Sequence, residues 1–110
     1  MSIRFFLFLA AILSLMAGSV SAELSAKHVQ ILATKCVQCH AAPHTGAPQF
    51  GNREQWHHVL QQGEEQTLIN VVHGIRGMPP LGYCSACSEE DLRELIRFAA
   101  GFPTATGEAK

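Results

Sequence analysis

The apolar positions of the chain form one unbroken run near the start and several stripes at helical spacing further on. The run covers residues 5–17, with the cation Arg4 before it and the small residues Val20, Ser21 and Ala22 after it. That order reads as a secretory signal peptide over residues 1–22, cut after Ala22. The run is shorter than the roughly 20 apolar residues that cross a bilayer, and no later stretch approaches that length. Beyond it, Leu24, His28, Ile31, Leu32 and Lys35 share a stripe and predict a helix that runs into Cys36. Residues 41–51, "AAPHTGAPQFG", have two prolines, two glycines and no periodicity, which predicts a loop. A second helix is expected from Asn52, as a cap with Gln55 reaching back, to near Gly63, with Trp56, Val59 and Leu60 on its buried face. Residues 64–74, "EEQTLINVVHG", predict a third, with acids in the first turn and Gly74 as its stop. Two glycines around Met78 and two prolines after it keep residues 75–84 out of a helix. Ser88 and Asp91 form a capping box ahead of the stripe Leu92, Leu95, Ile96 and Ala99, and Gly101 with Pro103 ends that helix. Residues 104–110 are expected to be disordered. No alternating strand pattern occurs, so the fold class is all-α.

Composition narrows what such a chain can do. Without residues 1–22, 88 residues are left in one domain, 23–110, with seven Lys and Arg against nine Asp and Glu. A core of that size gives only a few kcal/mol, so a staple of some kind is expected. The acidic balance, with no clustered cationic face, excludes nucleic acid as a partner. It also points to a partner with a basic patch.

The chemistry lies in "CVQCH", residues 36–40. Four cysteines, Cys36, Cys39, Cys84 and Cys87, could in principle surround zinc, but the long gap between the pairs is unspecific and export favours pairing of thiols. Neither pair has the strand and helix of a thioredoxin-like site. Cys-x-x-Cys-His is the attachment signature of c-type haem: two sulfurs add to the vinyl groups and the histidine sits beneath the iron. Beyond the signal peptide the chain has one methionine, Met78, 38 residues after His40. Pro79 holds it in a stiff loop, as an axial thioether ligand requires. His73 is the rival sixth ligand, while His28, His44, His57 and His58 read as surface or cap residues. No histidine follows Cys87, which excludes a second attached haem.

With these residues the chain resembles a class I c-type cytochrome, and more closely the bacterial cytochrome c5 family. "CVQCH" is common to c-type cytochromes, whereas "GAPQFGNREQW" and "MPPLGYCSACSEEDL" are similar to the c5 type in particular. The resemblance implies about four helices wrapped around one covalent haem c held by Cys36 and Cys39, with His40 and Met78 as axial iron ligands. It also implies a Cys84–Cys87 disulfide, a bond from His40 to the Pro48 carbonyl, and crossed first and last helices. One departure stands out: where many relatives have a small residue and an aromatic one before the first cysteine, this chain has His28 and Leu32, so a looser or shifted crossing is expected.

The function expected is that of a soluble, periplasmic one-electron carrier rather than an enzyme. Its partners would be redox proteins such as a dehydrogenase, reductase or terminal oxidase, and after signal cleavage it would not span a membrane. The alternatives are a haem-bearing small subunit of a dehydrogenase or oxidase complex, or a gas-binding haem protein if Met78 is labile. Leu32, Phe50, Trp56, Val59, Leu68, Ile69, Leu81, Leu95 and Ile96 are expected to pack around the haem, with Trp56 either packing or bonding a propionate. Val37, Gln38, Ala41, Pro43, Pro80, Leu81 and Tyr83 are the candidate docking surface.

Overall fold

In the computed structural model, which describes residues 24–104, the Ser25 hydroxyl accepts from the His28 N–H and starts helix α1, Ala26–Ile31. The predicted signal peptide and residues 105–110 of the tail lie outside the described residues. α1 continues through a π-helical turn, Leu32–Cys36, into a last α-helical turn, α2, Val37–His40. The helix therefore runs past Cys36 and carries the whole "CVQCH" motif.

The π turn has a local cause. The Thr34 hydroxyl donates to the Gln30 carbonyl at 2.8 Å, the acceptor that an α-helix would offer to the Thr34 N–H. The Thr34 carbonyl in turn accepts from the Gln38 side chain at 3.2 Å, and the Val37 N–H reaches five residues back to the Leu32 carbonyl. Side chains thus hold two carbonyls that the regular ladder would use.

Helix α3, Arg53–Gln62, is capped by the Asn52 side chain, which accepts from the Gln55 N–H. The Gln55 side chain reaches further back than the sequence suggested, accepting from the Gln49 N–H at 2.8 Å rather than from Asn52. After Gly63, helix α4, Glu64–His73, ends at Gly74. A 3-10 turn, Pro80–Tyr83, follows Met78 and packs on both α4 and the π turn. Helix α5, Glu89–Ala100, has the full Ser88–Asp91 capping box and ends at Gly101 in the left-handed conformation. The described chain is helical without a strand, as the apolar stripes predicted.

Trp56, Leu68, Leu92, Ile96, Ala100 and Phe102 form the core, with Phe50, Val59, Leu60 and Leu81 packed at its edge. Ile69, expected against the haem, is 44% exposed in the polypeptide alone, and at the end of α5 Ala99 packs partly buried against the core beside the buried Ala100. Of the predicted stripe before Cys36 only Leu32, in the π turn, is buried, and Lys35 is exposed.

α1 and α5 contact each other through charge. Lys27 Nζ donates to Asp91 Oδ2 at 2.7 Å and His28 Nε2 lies 2.9 Å from Asp91 Oδ1. The His28 side chain is only 14% exposed, so it is not a surface residue. Where a small residue would let two backbones approach, this chain bridges them with a histidine and a capping carboxylate. The Lys27 ammonium first, then the His28 ring and the Ser88 N–H, hold the Asp91 carboxyl far below the usual carboxylate range.

Candidate haem site

His40 is the best-defined side chain of the site. Its Nδ1–H donates to the Pro48 carbonyl at 2.7 Å, which fixes the tautomer and leaves the Nε2 lone pair available to a metal. The ring stacks on Phe50 and on Trp56, with centroids 5.6 Å and 5.4 Å away. The loop that supplies Pro48 is itself tied down. The Phe50 N–H donates to the His40 carbonyl at 2.8 Å, while the Thr45 hydroxyl and the Gln49 amide donate to the Cys39 carbonyl at 2.7 Å and 2.9 Å. These bonds satisfy carbonyls that end α2 and would otherwise lack partners. The Trp56 indole N–H donates to the Gln49 carbonyl at 2.9 Å, so Trp56 packs on His40 and braces the loop instead of offering its N–H to a propionate.

Cys36 is half-buried and Cys39 exposed, both as free thiols, and burial pushes the Cys36 thiol above its ordinary value. Cys84 and Cys87 are joined as a disulfide with Cα atoms 5.4 Å apart. That bond removes both sulfurs from the four-cysteine zinc pattern.

Met78 is half-buried at the end of a tight turn. The Ile75 N–H donates to the Met78 carbonyl at 3.1 Å and the Met78 N–H to the Ile75 carbonyl at 2.9 Å. Arg76, Leu81 and Tyr83 all have positive φ, between 54° and 65°, a conformation costing a non-glycine residue about 1 to 2 kcal/mol. Sequence gave no signal for these three positions. Gly74 lies at φ 82° and ψ 151°, and a Cβ there would stand 2.9 Å from the Met78 carbonyl oxygen. A Cβ on Gly82 would stand 3.3 Å from Met78 Cε, so the thioether end lies against this glycine. The 3-10 turn that follows packs on the turn ending in Cys36, bringing the methionine loop to the cysteine-bearing helix. His73, the rival ligand, is exposed, and its Nδ1 is held by the Ile69 carbonyl of its own helix at 2.9 Å.

The family model described as "Cytochrome C oxidase, cbb3-type, subunit III" matches residues 23–98. The chain is 38% identical to cytochrome c5 of Ectopseudomonas mendocina over 73 residues, which is 64% of this chain and 84% of the relative. The chain belongs to the c-type cytochromes, in the cytochrome c5 family. A second cytochrome c5, from Azotobacter vinelandii, is 29% identical over 73 residues, covering 64% of this chain and 88% of the relative. Among solved structures, one titled "Crystal structure of electron transfer complex of nitrite reductase with cytochrome c" superimposes with a TM-score of 0.62 at 31% identity, over 71% of this chain and 95% of that one.

Membership of the c-type cytochromes brings covalently bound haem c, and the fold is that of a small class I cytochrome c. The donor set fits the group: two free thiols on one helix end, an adjacent imidazole with its outer nitrogen free, and one thioether in a braced loop. The protein is a small electron carrier of the cytochrome type. No described helix is long and apolar enough to cross a membrane.

Proposed function

We propose that the protein is a periplasmic one-electron carrier in which Cys36 and Cys39 hold the haem by thioether bonds and His40 and Met78 are the axial iron ligands. On this reading residues 1–22 direct export and are removed, and residues 23–110 are the cytochrome domain. The single observation that carries it is the His40 ring, held by Pro48, Phe50 and Trp56 with Nε2 free. When bound, haem c supplies a one-electron iron couple. With both His40 and Met78 holding the iron, small ligands would find no open site and ordinary oxygen chemistry would be disfavoured. Methionine on one side favours the reduced state relative to a second histidine and raises the potential. The Cys84–Cys87 disulfide closes the segment after Met78.

An optical redox titration of the purified exported protein, with and without carbon monoxide, tests the ligand set. The expected result is a reversible one-electron step at positive potential, low-spin and unresponsive to carbon monoxide, that moves to lower potential in Met78→His. A carbon-monoxide-sensitive reduced form, or an unmoved potential in that variant, removes Met78 from the ligands and favours a gas-binding protein. The matching family model is described as an oxidase subunit, which favours an obligate-complex reading with the same ligands. Size-exclusion of native extract separates the two, since a free carrier elutes as a small species.

A further inference from the structure

The Cys84–Cys87 disulfide joins two parts of the protein that are held in different ways. Beyond Cys87, α5 is anchored to α4 through Arg93 and Arg97, which pair with Glu64 and Glu65. Before Cys84 lies the turn that follows Met78. There the Gly82 N–H donates to the Pro79 carbonyl at 3.0 Å and the Cys84 N–H to the Leu81 carbonyl at 2.9 Å. Leu81 and Tyr83 in this turn have positive φ, 59° and 65°, and Gly82 between them lies against Met78 Cε. Backbone of that kind persists only where its surroundings fix it, and the disulfide is the covalent part of the fixing. A ring closed between cysteines three apart in sequence restricts the unfolded chain little, so opening it acts on local geometry more than on global stability. With α5 anchored, the part released is the turn beside Met78.

The two sulfurs are not equally reachable. Cys87 packs against the hydrophobic core, whereas Cys84 lines a groove of about 260 Å³ between the disulfide segment and the first helix. Ile31 and Ala86 give this groove apolar walls, and Lys27 and Lys35 bring two ammonium groups to it. Lys35 is exposed and, among the described residues, forms no ion pair. The groove therefore suits a small molecule with negative charge. The chain has four cysteines, and haem attachment consumes Cys36 and Cys39. No thiol of its own is then left to attack the disulfide, so any exchange there needs an external one.

We propose that this groove is a thiol-exchange site, at which a small carboxylate-bearing thiol opens the Cys84–Cys87 disulfide and so loosens Met78 from the iron. The loosening rests on the ligand reading above; the exchange does not. The external thiolate, steered by Lys27 and Lys35, attacks Cys84 Sγ, the sulfur–sulfur bond breaks, and Cys87 leaves as a thiolate that takes up a proton. A second external thiolate attacks the first one's sulfur in the mixed disulfide. That step releases the oxidised thiol dimer and Cys84 as a thiolate, which is protonated in turn. Two electrons pass from two external thiols to the protein disulfide, and the iron keeps its oxidation state.

The test uses full-chain holoprotein reduced with ascorbate, which leaves disulfides intact, and held under carbon monoxide at about pH 8, where more of a thiol is thiolate. Before any thiol is added, the haem bands should not move. Reduced glutathione should then produce two alkylatable thiols per chain, counted by mass spectrometry after the glutathione is removed. In step with them, the carbon-monoxide-bound fraction should rise at least about fivefold. The rate with glutathione should fall about twofold or more between about 10 and 300 mM salt, while the rate with cysteamine, a cationic thiol, should not fall. Cys84→Ser combined with Cys87→Ser should bind carbon monoxide without any thiol and gain nothing from glutathione. A disulfide that stays closed in the folded protein overturns the exchange site, and a glutathione rate that rises with salt overturns its steering by the lysines. New thiols with no carbon monoxide response overturn the link to Met78. Carbon monoxide binding before any thiol is added overturns the ligand reading instead, and the thiol count still decides the exchange.

Discussion

The room around Met78 is set by residues with no ligand chemistry of their own. At Gly74 the backbone occupies a region almost closed to side chains, and an added Cβ would meet both the Met78 carbonyl and the Pro80 nitrogen, at 2.9 and 3.0 Å. Neither contact is with the far end of a flexible side chain, so the loop itself has to move. Gly74→Ala is expected to cost about 2 kcal/mol or more. It should also weaken or abolish the near-infrared band of methionine-ligated ferric haem while leaving thioether attachment intact. Denaturant titration read beside that spectrum checks both, and a stable variant with an unchanged band would show that the loop yields without moving Met78. Gly74 was legible as a helix stop from its place after "INVVH", because a glycine in that position has a local meaning. Its second task, keeping backbone clear of Met78, depends on a chain segment that only the fold brings back.

The same division holds for whole elements. The caps were legible: Asn52 before α3, Ser88 with Asp91 before α5, and Gly101 after it each act within a few residues of themselves. The π turn was not, since its cause is a threonine hydroxyl and a glutamine amide competing with the backbone, and both residues are ordinary inside helices. Nor was the contact of α1 with α5, where Asp91 serves two elements at once, capping its own helix and accepting from Lys27 and His28 on the other. That double use sets a pH dependence. Asp91 has a lowered folded-state pKa, so its contribution is fully present above the unfolded value of about 4 and is lost as pH falls below it. Thermal stability of the holoprotein should therefore decline as pH drops below about 4, and Asp91→Asn should flatten that decline while lowering the melting temperature at neutral pH. Melting curves from pH 2 to 7 decide this; an acid limb of the same steepness in the variant would assign it to other carboxylates.

For the molecule as a whole, the question is what the helices are wrapped around. The core residues Trp56, Leu68, Leu92, Ile96 and Ala100 are buried, but none is wholly enclosed by protein, and exposed Ile69 and Val72 lie at helical spacing on α4. A protein of this size with so thin a core needs further apolar surface, which a covalent haem provides. Protein made without haem, with Cys36→Ala and Cys39→Ala, should have no cooperative thermal transition in calorimetry. A sharp, reversible transition in that variant would show that the polypeptide core and the α4–α5 ion pairs suffice.

The π turn at Leu32–Cys36 bears on how such a chain can change over generations. It lies between two fixed points, the Lys27 and His28 bridge on one side and Cys39 with His40 on the other. Each residue of an α-helix advances the next side chain by about 100° around the axis. Removing one residue here could restore regular winding and make the helix itself more comfortable, yet it would turn the imidazole away from Pro48 or the lysine and histidine away from Asp91. The irregular turn works as a phase adjuster between two gears. Length in this segment is therefore fixed more tightly than residue identity, and a lineage could exchange Ala33 freely while being unable to lose it.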